Sequence, residues 1–175
     1  MEDWLNNVKY GNISNGLLEV LKKKSIADEV IPILDKKYGS KLDFPKNDSD
    51  ETKDELNSLV KSVKLTGEQA NKKHLKRYKN YDKNLAQSII SVFQTKNLDV
   101  EELTLKVFDD VTPTIAKLKQ KYQRPRPYQL ASYYKLKLFP YSTYSGHSPS
   151  YPSGHTLQAF MVLEIIGNKF PDAYE

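Results

Sequence analysis

Tyr151-Pro152-Ser153-Gly154-His155-Thr156 is followed at once by an apolar run over residues 157–170. Proline, serine and glycine interrupt the chain, and the run behind them predicts a helix. Ser153 is placed to cap it, because a serine hydroxyl accepts from one of the orphan N–H groups of a first turn. Gly154 carries no Cβ, so backbone can come close to a bound group there. The open N–H groups and the positive end of the helix dipole converge on one spot, which suits an anion such as phosphate. His155 stands beside that spot, and histidine is the side chain that exchanges protons near neutrality. These six residues alone fit a capped helix start with an incidental histidine equally well.

At 175 residues the chain is long enough for one domain with a real core. An apolar content of 38% and a charged content of 28% place it among globular proteins, on the polar side. No apolar stretch reaches the length of a bilayer span, so an integral membrane protein is not expected. Met1-Glu2-Asp3-Trp4 lacks the basic-then-apolar pattern of a secretory leader. A cytoplasmic location is then the default expectation. Cysteine is absent, which excludes disulfides and thiolate metal sites.

The formal net charge of +5 is a weak pointer to a polyanion partner. The placement of the charges says more. Residues 111–163 contain no Asp or Glu, yet hold Lys117, Lys119, Lys121, Arg124, Arg126, Lys135 and Lys137. Such a span suits a site that gathers several phosphate oxygens, and equally a basic surface for a polyanion.

The rest of the chain reads as helix. Ser14 is placed to cap a helix through Leu17, Leu18, Val20 and Leu21. Ile26, Val30, Ile31, Ile33 and Leu34 repeat at helical spacing, with a kink expected at Pro32. Residues 36–46 read as a linker. An acidic start over residues 47–51 leads into Leu56, Leu59, Val60 and Val63, and Thr66-Gly67 is expected to end that helix. His74, among Lys72, Lys73, Lys76 and Arg77, reads as a surface residue. Leu85, Ile89, Ile90 and Phe93 mark the next face. Leu103, Val107, Val111, Ile115, Leu118 and Tyr122 then form a long helical stripe, with a bend or break expected near Pro113. Residues 124–151, rich in proline and tyrosine, read as loop with a short helix near residues 130–136. No strand alternation stands out, so the fold class expected is all-α, a bundle-like packing of amphipathic helices.

Lys119 lies four residues after Ile115 and three before Tyr122, close to the core-facing stripe, which is unusual for a lysine. Arg126 follows between Pro125 and Pro127, which stiffen its backbone. An ammonium and a guanidinium together clamp a tetrahedral oxyanion well. A solvated basic helix end, favoured by the helix dipole, is the plainer reading of the same residues.

Lys119, six residues, Arg126-Pro127, and then Pro152-Ser153-Gly154-His155 resemble, in order and spacing, the first two motifs of the type 2 phosphatidic-acid phosphatase and vanadium haloperoxidase superfamily. Tyr122-Gln123-Arg124-Pro125-Arg126-Pro127 also looks like the corresponding segment of the bacterial class A acid phosphatases. The resemblance covers roughly the last third of the chain and none of residues 1–98. It implies an all-helical phosphoric monoester hydrolase that needs no metal and no cofactor. The residues matching Lys119, Arg126, Ser153 and Gly154 would bind phosphate oxygens, and His155 would protonate the leaving group as general acid. Vanadate shares the tetrahedral charge, so a vanadium-dependent haloperoxidase is the alternative activity. Residues 1–98 would pack as a helical region on a phosphatase-like core of residues 99–175. The expected partner is a small phosphorylated substrate, with no nucleic acid. A basic helical protein binding nucleic acid or another polyanion is the non-enzymatic alternative.

The third motif of that superfamily, Ser-Arg, then Gly-x-His, then Asp, has no counterpart here. Its histidine is the family's nucleophile. His147, in Ser145-Gly146-His147-Ser148, has no neighbouring acid in sequence to orient it. The expectation is a chain that lacks the family's C-terminal helices. It would leave Phe160, Leu163 and Ile166 exposed for a missing partner. Completion by a homo-oligomer or second chain, and phosphate binding without cleavage, are the other two explanations.

Overall fold

The computed structural model describes residues 4–11, 14–38, 44–139, 143 and 145–174; the side chains of residues 38, 64–75, 81, 173 and 174 lie outside that description. The described residues form α1 (Asn15–Leu21), α2 (Ala27–Tyr38), α3 (Asp50–Lys83), α4 (Leu85–Gln94), α5 (Glu101–Tyr122), α6 (Pro127–Ala131) and α7 (Gly154–Lys169), with short 3₁₀ turns and no strand. The class is all-α, as expected.

Helix α5 is the hub. Helices α1, α2, α4 and α7 all pack against it. Its stripe is apolar on the packed side, with Val107, Ile115 and Ala116 buried. Val162 and Ile166, one helical turn apart on α7, meet Val107, Phe93 and Val100 in the central cluster. Ile166 is 0% exposed, which overturns the expectation that it faces outward. It falls on the α5 side of α7, while Phe160 and Leu163 point away and are exposed. Replacing Ile166 by alanine should cost about 3 kcal/mol in a denaturant or thermal unfolding experiment, since the methyl groups removed leave a void in a packed core.

Four sequence expectations shift. Helix α3 runs unbroken through Thr66-Gly67. An interior glycine costs only about 1 kcal/mol, and nucleating a second helix is also unfavourable. Helix α5 continues through Pro113, so no break falls there, and Pro32 lies inside a continuous α2. Pro113 is buried in the packed face, where tertiary contacts outweigh one missing backbone bond. Helix α2 extends to Tyr38, into the expected linker. Helix α6 begins earlier than the expected 130–136, because Pro127 suits a first helical position and the Gln129 side chain accepts the Arg126 N–H at 2.8 Å. Ser14 caps α1 as read, accepting from the Leu17 N–H at 3.3 Å. The surface reading of His74 lies outside the described side chains.

Candidate oxyanion site

Just past Tyr122, helix α5 is capped by Gln123, whose left-handed backbone (φ 51°) turns the chain away. Pro125 keeps the helix from resuming at once, and Arg126, in extended conformation, becomes the N-cap of α6. The loop over residues 145–150 is fastened to this segment. The Ser150 N–H donates to the Arg124 carbonyl at 3.0 Å, and the Ser150 hydroxyl donates to the Pro125 carbonyl at 2.8 Å. These bonds bring the two halves of the expected site together.

Two cations hold the loop from inside. Lys119 is 7% exposed, and its ammonium donates to the Pro149 carbonyl. Arg126 donates from Nε to the Ser148 carbonyl at 2.8 Å and from Nη2 to the Ser145 carbonyl. Burial, reinforced by the Arg126 guanidinium, lowers the Lys119 pKa from 10.5 to about 8. Burial also lowers that of Arg126, with Tyr10, Tyr128 and Asp82 acting in the opposite direction. Among the described residues, neither cation lies within ion-pair distance of a carboxylate.

Other cations of the acid-free span are matched by acids from earlier helices. Lys117 pairs with Asp28, Lys121 with Asp35, and Arg124 with Glu55 at 2.9 Å. The basic band seen in sequence is thus partly neutralised at its periphery.

The Ser153 hydroxyl caps α7, accepting from the Thr156 N–H at 3.3 Å and the Thr156 hydroxyl at 2.9 Å. It is exposed. Gly154 sits against α5: a Cβ there would lie 3.4 Å from Ile115 Cγ2 and 3.9 Å from Lys119 Cε. These are ordinary contacts, so packing alone tolerates a small side chain. His155 turns toward a cleft of about 580 Å³ whose lining also includes Arg126, Asp82 and Ser145. Leu59, Val63, Leu85, Leu138 and Phe139 make much of the wall apolar. Lys119, Ser153 and Gly154 are not part of this lining. His147 is exposed on its 3₁₀ turn and is also outside the lining.

Sequence reading missed two contributors, both from residues 1–98. Tyr10 donates its N–H to the Gln123 carbonyl at 2.9 Å and its hydroxyl to the Gly146 carbonyl at 3.3 Å, while Gln129 Nε2 donates to its carbonyl at 3.0 Å. Burial, with Tyr128 adding to it, raises the Tyr10 pKa. Asp82, near the end of α3, places Oδ1 3.7 Å from His155 Nε2 and accepts the Ser145 N–H on Oδ2 at 2.8 Å. Neither residue carries a local sequence signal, because both act on segments far along the chain.

No group of three or more His, Asp or Glu side chains is arranged to hold a metal ion among the described residues. Nor is any described helix long and apolar enough to cross a membrane. Comparison with protein-family models, curated proteins and solved structures found no match.

Proposed function

We propose that the site binds the phosphate of a small monoester and that His155 protonates the oxygen of its leaving group, the chemistry of a phosphoric monoester hydrolase. One observation carries the reading: Lys119 and Arg126 bond to backbone carbonyls of one loop and, among the described residues, have no carboxylate at ion-pair distance, with Lys119 against Gly154 at the start of α7 and Arg126 in the same cleft lining as His155. Bringing two like charges together away from water is unfavourable for the fold. An oxyanion offsets that cost by supplying the missing negative charge. Arg126 lines the cleft, and its Nη1 has no acceptor among the described residues, which leaves it a donor to offer an anion. Lys119 is reached when an oxyanion oxygen replaces the Pro149 carbonyl. The apolar wall suits an ester whose alcohol portion is uncharged.

Cleaving the ester also requires an attacking group. The described cleft lining contains no second histidine, so phosphate binding is the property to measure first. Calorimetric titration with inorganic phosphate and with vanadate should show saturable binding, and its absence removes the oxyanion reading. With a phosphate monoester, His155→Ala should lower turnover by roughly 10²-fold or more and leave phosphate affinity within a few-fold. Undiminished turnover in that variant removes the role given to His155.

A further inference from the structure

Asp82 is an oddity on α3. An acid in the last turn of a helix opposes the negative end of the dipole, yet this carboxylate is only 7% exposed. Its surroundings explain it. Oδ2 is fixed by the Ser145 N–H at 2.8 Å, which leaves Oδ1 aimed at His155 Nε2 at 3.7 Å. The imidazole is 40% exposed and lines the cleft beside Arg126. The contact is at ion-pair length, and such contacts in an unliganded site commonly tighten when substrate binds.

We propose that Asp82 is a positioning residue for His155: it engages Nε2 and leaves Nδ1 as the atom that delivers the proton. This inference rests on the phosphatase reading for its chemistry, but not for its geometry. In the reacting imidazolium, Nε2–H faces the Asp82 carboxylate and Nδ1–H faces the ester oxygen. As the oxygen of an attacking water bonds to phosphorus and the P–O bond breaks, the electron pair of the broken bond goes to the ester oxygen, which takes the Nδ1 proton, while the water gives up its own proton to solvent. The ring is left neutral with its remaining proton on Nε2, still facing Asp82. A carboxylate that accepts at one ring nitrogen selects the tautomer in this way.

The test combines a tautomer measurement with kinetics. Long-range ¹H–¹⁵N spectra of the full chain should show neutral His155 protonated on Nε2. In Asp82→Asn the Ser145 N–H still requires an acceptor, so the amide oxygen turns to it and the NH₂ faces the ring. The tautomer should then invert to Nδ1–H. A wild-type ring protonated on Nδ1, or an unchanged tautomer in the variant, overturns the proposal; if the variant does not fold, a wild-type Nε2–H population no greater than that of free histidine overturns it.

The kinetic arm compares two esters. Asp82→Asn should slow hydrolysis of an alkyl phosphate about tenfold more than that of 4-nitrophenyl phosphate, whose leaving group needs little protonation. Asp82→Glu should recover part of the difference. Equal slowing of both esters marks a merely structural role and overturns the proposal. If the wild type hydrolyses neither ester, the hydrolase reading fails, while the tautomer spectra still decide the positioning by Asp82.

Discussion

Replacing Lys119 by methionine is expected to stabilise the fold at pH 7 by about 2 kcal/mol and to weaken phosphate binding by at least tenfold. Lys119 is 7% exposed, and its burial, with the Arg126 guanidinium nearby, holds its pKa at about 8 instead of 10.5. That displacement corresponds to roughly 3 kcal/mol of unfavourable burial of the charged form. The methionine side chain removes it, but leaves the Pro149 carbonyl without its donor, a loss of about 1 kcal/mol.

The pH dependence has a definite sign. Below pH 8 both folded and unfolded chains hold the Lys119 proton, so the whole penalty is present. Between about pH 8 and 10.5 the folded chain releases the proton while the unfolded chain keeps it. This group's contribution to stability therefore rises with pH across that window. Denaturant unfolding at several pH values should show the rise in the wild type and its loss in Lys119→Met. Phosphate affinity of the wild type should fall above about pH 8, as the ammonium that attracts the anion is discharged. A variant both less stable and equally able to bind phosphate would show that Lys119 is a structural residue.

Arg126→Ala is expected to act in the opposite direction on stability. The guanidinium ties the Ser148 carbonyl through Nε and the Ser145 carbonyl through Nη2. Ser145 keeps a second donor in the Ser148 hydroxyl, at 3.1 Å, so the Ser148 carbonyl suffers most. Losing one part-buried donor and the packing of the side-chain stem should cost about 2 kcal/mol. Phosphate binding should fall by at least 10²-fold, because a fork of charge-assisted donors disappears with the charge. Arg126→Lys should restore charge but not the fork, and so recover only part of either loss. Unfolding curves and phosphate calorimetry on both variants check this. Wild-type affinity in Arg126→Ala would remove Arg126 from the site.

The opposite signs expected for the two cations follow from their partners. Arg126 organises a loop with two side-chain bonds, and its removal releases that loop. Lys119 has one bond and a deeper position, so the unfavourable burial of its charge exceeds what its contact returns.

Much of the helical frame was legible from periodicity. The stripe from Leu103 to Tyr122 became α5, and the Ser153 cap and the apolar run became α7, because apolar spacing and caps act within a few residues. The same locality explains the error at Thr66-Gly67, where a local breaker was outweighed by the cooperativity of a 34-residue helix. Ile166 and Phe160 look alike in sequence, and only the direction of approach of α5 buried one and exposed the other.

By itself, then, the sequence determined the all-α class and the capped start of α7, and it singled out Lys119, Arg126, Ser153, Gly154 and His155 only as candidates. Tertiary structure alone decided how their charges are balanced. Folding brought Asp28, Asp35 and Glu55 to the outer cations, left Lys119 and Arg126 to carbonyl oxygens, and set Asp82 against His155. The physical reason is range: caps and periodicity are interactions between near neighbours in the chain, whereas desolvation and ion pairing depend on which distant segments are packed together.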